Sequence, residues 1–97
     1  MAQFDVYRLK SGMLVVDLQT DLIGIKASRI VAPLREAERY AAFPGLTPNV
    51  EVGCALWIVR VQELVAVQSA ALRDLITNLA AKRDALKRAL DILIDGV

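Results

Sequence analysis

Leu14-Val15-Val16-Asp17-Leu18-Gln19-Thr20-Asp21-Leu22-Ile23 is the stretch on which the fold turns. Leu14, Val16 and Leu18 alternate with Val15, Asp17 and Gln19, which is the period of two expected of a strand with one apolar and one mixed face. Two neighbouring runs share that character. In Gln3-Phe4-Asp5-Val6-Tyr7, Phe4 and Val6 alternate with Asp5 and Tyr7, and Arg29-Ile30-Val31-Ala32-Pro33-Leu34 is a third β-branched run closed by proline. Lys10-Ser11-Gly12, Gly24 and Pro33 punctuate the three as turns or edges, and the first two runs are expected to pair across a turn at 10–13. The first third of the chain therefore reads as antiparallel strands.

The middle continues in the same way. Arg35 to Ala42 is charged and alanine-rich and is ended by Pro44, Gly45 and Pro48, which predicts a surface loop with a short helical turn. Val50-Glu51-Val52 and Leu56 to Val61 flank Gly53 and predict a hairpin, with a further strand from Leu64 to Val67. Trp57 is expected in the core, a subunit interface being the other reading. From Ser69 onward helix propensity dominates, with Leu72, Ile76, Leu79, Leu86, Leu90 and Leu93 at spacings of three and four. Leu72, Leu79, Leu86 and Leu93 also repeat every seven residues, but Arg83 breaks the stripe, so a helix packed on a sheet is expected rather than a coiled coil. An Asp84–Arg88 pair and the cationic Lys87 and Arg88 near the end suit a helix there. Composition alone starts this helix near Leu72.

A chain of 97 residues that is 56% hydrophobic and 24% charged makes one globular domain over 1–97 of the α+β class, mainly β. So short a domain buries only about 60–65% of its unfolded surface. Its mean hydropathy is nevertheless positive, which predicts apolar surface covered in a homodimer. No apolar run is long enough to span a membrane and no signal-peptide core opens the chain, so a cytoplasmic protein without a membrane partner is expected. Twelve basic against eleven acidic residues argue against unaided nucleic-acid binding and favour a protein partner.

The chain has no histidine. That removes Ser/His and Cys/His nucleophile pairs, most zinc sites and the commonest general base. The lone Cys54, beside Gly53 in the hairpin turn, is read as structural. The five glycines are isolated, so no phosphate loop exists, and no cofactor or metal is expected. Asp17, Gln19 and Asp21 share a strand face, but Leu22 and Ser28 stand where a calcium loop needs its glycine and glutamate, so they read as a solvated polar face. Arg29, Arg60 and Arg83 with a carboxylate base are the residues a ribonuclease would use, or else ordinary surface arginines. At the other end, Ile92-Leu93-Ile94 and Val97 make the last turns apolar nearly all round, before Asp95-Gly96-Val97 leaves the helix through glycine. Either these groups meet a partner or the terminus lies on its own domain.

Gln3-Phe4 at the start, Val16-Asp17-Leu18-Gln19-Thr20-Asp21 in the second strand, Pro33-Leu34 closing the third, then Val52-Gly53, Trp57 and the closing Gly96-Val97 resemble the CcdB family across essentially the whole chain. These are the toxin halves of bacterial toxin–antitoxin pairs, associated with plasmid maintenance. The resemblance implies a small antiparallel barrel-like sheet, of the SH3-like CcdB/MazF toxin type, with one C-terminal α-helix beginning near Ala80. It implies a two-fold dimer and a non-enzymatic inhibitor that binds the A subunit of DNA gyrase, a type II topoisomerase, and traps its cleaved-DNA complex. A CcdA-like antitoxin would neutralise it, and operator DNA would be bound, for transcription regulation, only through the toxin–antitoxin complex. The family's target contacts fall on Leu22 and Ile23 at the strand end, on Asp91, and on Gly96 and Val97. Asp95 departs from the aromatic or small neutral residue of many relatives, which implies weakened poisoning or a changed target. The alternatives are a same-fold ribonuclease that cleaves messenger RNA, and a non-toxic dimeric module.

Overall fold

The computed structural model describes residues 2–20, 28–40 and 42–96. Among them are seven strands, β1 (Asp5–Arg8), β2 (Leu14–Asp17), β3 (Ser28–Glu36), β4 (Asn49–Val52), β5 (Ala55–Val59), β6 (Val65–Gln68) and β7 (Asp74–Asn78), and one helix, α1 (Arg83–Asp95). Short 3-10 turns at Val61–Glu63, Ser69–Ala71 and Ala80–Lys82 connect the later elements. Every pairing is antiparallel, in the order β4-β5-β3-β2-β1-β7 with β6 also on β3, and the sheet curls into a half-barrel.

β3 is the hinge of this curl. Its first half pairs with β6 (Ser28↔Gln68 to Val31↔Val65) and its last residues pair with β5 (Leu34↔Val59 to Glu36↔Trp57), while β2 runs alongside residues 31–33. Pro33, which has no N–H to donate, sits where β6 has ended and β5 has not begun, a position that asks for no donor. Its carbonyl is used, accepting from the Arg60 N–H at 3.0 Å. The strand therefore continues through Leu34 to Glu36 instead of closing at proline, and the loop expected from Arg35 begins two residues later, at Ala37.

Both faces of the central strands are covered. Val6, Leu14, Val16, Ala32 and Leu34 join Val50, Val59 and Val61 and the helix residues Leu86 and Ala89 in the main core. The residues between them, Tyr7, Val15 and Val31, pack with Leu72 on the opposite face. Leu86, in the first turn of α1, is fully buried, so Leu86→Ala is expected to cost about 2–5 kcal/mol.

Three sequence expectations change at the ends of elements. Gln3 and Phe4 form a turn rather than strand: Phe4 has φ +71°, donates to Asp17 O at 2.6 Å and accepts from Leu79 N at 2.8 Å, so tertiary hydrogen bonds and burial hold a non-glycine residue in the left-handed region. β2 stops at Asp17. The helix begins at Arg83, after the turn at 80–82, as the resemblance implied and composition did not. Residues 74–78 are strand because β1 offers them a ladder, with Asp5↔Asn78, Val6↔Thr77 and Tyr7↔Leu75 in register, and that pairing overrides local helix propensity.

Candidate functional site

The C-terminal end of α1 carries those residues, among the ones that the resemblance implies would contact a target, that lie within the described chain. The helix buries Leu86 and Ala89 and rests Leu90 and Leu93 on the core. Ile92 is also turned inward, because a Cβ built on Gly45 would stand 2.7 Å from its Cδ1. Two of the three terminal apolar residues thus lie on their own domain. Ile94 does not: it is 75% exposed, more than any other large apolar side chain described. The helix is capped at Gly96, whose φ of 79° is left-handed and whose N–H donates to Ile92 O at 2.9 Å. Asp91 and Asp95 are exposed and one turn apart. They add like charge at the negative end of the helix dipole, where helix stability would favour cations. Asp91, Ile94, Asp95 and Gly96 therefore form an exposed apolar group rimmed by two carboxylates. Leu22, Ile23 and Val97 lie outside the described residues.

At the end of β2 the structure places a buried ion pair. Arg29 Nη2 and Nε lie 2.8 and 2.9 Å from Asp17 Oδ2, with both side chains essentially removed from solvent. Asp17 Oδ1 accepts from Gln19 N at 3.0 Å, the Gln19 carbonyl accepts from Arg29 Nη2 at 3.2 Å, and Gln19 Oε1 accepts from Ile30 N at 3.2 Å. Asp17 is thus not part of a solvated face, since its neighbour across the sheet is a guanidinium instead of water. Asp21 lies outside the described residues. Arg29, read as a cation for an RNA backbone, is committed to this pair and shielded from any such ligand. The polar layer extends to Asp5, which accepts from Tyr7 Oη at 3.2 Å, Asn78 Nδ2 at 2.8 Å and Ala2 N at 2.9 Å. Burial, then the charge and hydrogen bond of Asp5, then the Asp17 charge push the Tyr7 phenol up from 10.0 to about 12, with Arg29 pulling weakly the other way.

A second polar cluster was not foreseen from the sequence. Glu63 accepts from Arg60 Nε at 3.0 Å and Arg35 Nη2 at 3.4 Å, and both guanidinium groups stand over the Tyr40 ring, 5.4 and 5.6 Å from its centre. The four residues come from the end of β3, the loop after it and the turn after β5, so no sequence spacing announced them. Trp57 is only half-buried; its ring rests on the main core, while its Nε1 is shielded and has no hydrogen-bond partner among the described residues. Leu56, Val65 and Leu75 are each more than half exposed on strands of the sheet, leaving apolar surface for a partner. Cys54 is exposed in the β4–β5 turn beside Gly53. No group of acidic or cysteine side chains among the described residues is placed to hold a metal ion, and no described helix is long and apolar enough to cross a membrane.

Comparison with solved structures finds an endoribonuclease from mycobacterial species at TM-score 0.76 and 14% identity, covering 97% of this chain and 90% of that one. That likeness shows a shared fold. A family model described as CcdB protein matches residues 3–96, nearly the whole sheet and helix described above, and the chain belongs to the CcdB family, the toxin components of toxin–antitoxin pairs.

Proposed function

We propose that this protein is a cytoplasmic homodimeric toxin that binds the A subunit of DNA gyrase and traps the cleaved-DNA complex, and that it is neutralised by a CcdA-like antitoxin. Ile94 carries the reading. A 75% exposed isoleucine two residues before a left-handed glycine, on a helix whose other large apolar side chains are packed, is a surface built to be covered by something else. Leu22, Ile23 and Val97, with Asp91, Asp95 and Gly96, are the contact set we assign to gyrase. Family membership supports the antitoxin partner and the dimer, and the exposed Leu56, Val65 and Leu75 fit that assembly. Operator DNA is reached only through the toxin–antitoxin complex. Asp95 must be desolvated on contact and weakens the poison relative to a neutral residue. The test is a supercoiled-plasmid assay with purified gyrase. Linear DNA accumulating with toxin concentration supports the reading, and its absence at micromolar toxin refutes it.

One observation favours a second reading, RNA cleavage. Glu63, Arg35, Arg60 and Tyr40 put a carboxylate, two cations and a phenol within one cluster, groups that could serve acid–base and phosphate chemistry without histidine. The protein similar in fold is called an endoribonuclease. Site-specific cuts in RNA that vanish with Glu63→Gln would establish this reading in place of the first.

A further inference from the structure

The described glycines all have positive φ, and at Gly12, Gly53 and Gly96 the space a Cβ would take is open. Gly45 differs. A Cβ there would stand 2.7 Å from Ile92 Cδ1, about 0.8 Å short of the roughly 3.5 Å at which two carbons meet. The turn around Gly45 is closed on itself. Leu46 N and Thr47 N donate to Phe43 O at 2.9 and 3.1 Å, while the buried Thr47 hydroxyl accepts from Phe43 N at 2.9 Å and donates back to Phe43 O at 3.2 Å. It is also anchored, since Pro48 O accepts from the N–H of the buried Val59 in β5 at 2.9 Å. The helix end that meets this turn has little support of its own. Asp91 and Asp95 lie at the negative end of the dipole and the last turn holds no basic residue. Ile92 is where the two join: its side chain meets Gly45 and its carbonyl accepts the capping Gly96 N–H at 2.9 Å.

We propose that the turn at Phe43–Thr47 is the seat for the end of α1, and that Gly45 is a positioning residue for target contact. It sets where Ile92 stops, and thereby how Ile94, Asp95 and Gly96 are presented. Successive helical residues are turned by about 100°, so Ile92 and Ile94 point to nearly opposite faces. The turn therefore bears on the back of the surface whose front is the exposed Ile94. Only glycine lets the turn come this close, because any side chain at 45 would push Ile92 or tilt the helix end. Contact groups need placement within about 0.5 Å, less than the displacement a Cβ would demand. The identity of the partner rests on the gyrase reading above, whereas the seat itself does not.

The experiment measures, for variants of the full chain, the toxin concentration that gives half-maximal linear DNA with purified gyrase. Gly45→Ala is expected to raise it about tenfold. Gly53→Ala carries the same left-handed strain into a turn with open space around it and should stay within about twofold of the wild type. Ile92→Val removes the Cδ1 that the new Cβ would meet, so adding Gly45→Ala to Ile92→Val should cost no more than about threefold. Thr47→Val opens the turn by removing its hydroxyl and should cost about fivefold, which Thr47→Ser recovers. Amide NMR shifts of Ile94, Asp95 and Gly96 give a readout that needs no gyrase: Gly45→Ala should move them, Gly53→Ala should not, and the double variant should match Ile92→Val. A wild type that traps no cleaved DNA refutes the gyrase reading, and the spectra then decide the seat alone. Equal losses from Gly45→Ala and Gly53→Ala, a loss from Gly45→Ala undiminished in the Ile92→Val background, or helix-end amides unmoved by Gly45→Ala would each overturn the proposal.

Discussion

Arg29 Nη2 lies 2.8 Å from Asp17 Oδ2 across the base of the segment that joins β2 to β3, and neither side chain reaches solvent. Such a pair adds little net stability over a well-packed apolar pair of the same size, but a lone member left behind is costly because its charge stays buried without compensation. The Gln19 carbonyl and amide, bonded to the same two residues, depend on it as well.

Removing one partner should therefore be worse than removing both. Arg29→Met alone is expected to destabilise the fold by about 3–5 kcal/mol, and Asp17→Leu/Arg29→Met together by markedly less. Urea unfolding of the two variants decides this. Equal losses would mean that the ion pair is not what holds this corner.

Tyr7 predicts an alkaline limit to stability. Its phenol ionises near 10.0 in the unfolded chain and near 12 in the folded one, so the fold favours the neutral form. The associated stability is fully present below pH 10 and is lost as pH rises towards 12, amounting to about 2–3 kcal/mol for a shift of this size. Tyr7→Phe forfeits the hydrogen bond to Asp5 at pH 8 but should show a shallower decline between pH 10 and 12. Unfolding curves at pH 8, 10 and 11.5 for both proteins would reveal parallel declines if Tyr7 were not responsible.

The helix end separates binding from folding. Deleting Gly96 and Val97 should abolish trapping of the gyrase–DNA complex while changing stability by no more than about 0.5 kcal/mol, because Gly96 is exposed and a chain terminus contributes little to folding. Ile94→Ser should weaken trapping with a similarly small effect on folding. Asp95→Thr should strengthen trapping by on the order of 1–3 kcal/mol through removal of a carboxylate that must be desolvated. If Asp95→Arg abolishes activity and Asp95→Thr leaves it unchanged, the carboxylate pairs with a basic group on the target.

The dimer is tested by sedimentation at micromolar concentration, where about twice the 10.6 kDa chain mass is expected. Leu75→Lys and Val65→Lys, which place charge on the exposed apolar strand faces, identify the interface if either one restores the monomer. Trp57→Ala should lower intrinsic stability, since the ring rests on the main core.

The sequence by itself determined which side chains share a face. The alternation in Phe4 to Val6 and Leu14 to Leu18, the glycine turn at 53, and the apolar residues at 86, 90 and 93 are local periodicities, and each appears in the structure as the face it predicted. They also carried the resemblance to the CcdB family. Tertiary structure decided what those periodicities cannot encode, namely which distant partner is near. Residues 72–76 have helical propensity but 74–78 became strand, because β1 lies alongside, and Asp5 and Asn78 are hydrogen-bonded 73 positions apart. Asp17 had the pattern of a surface carboxylate and became a buried one because Arg29 crosses the sheet to it.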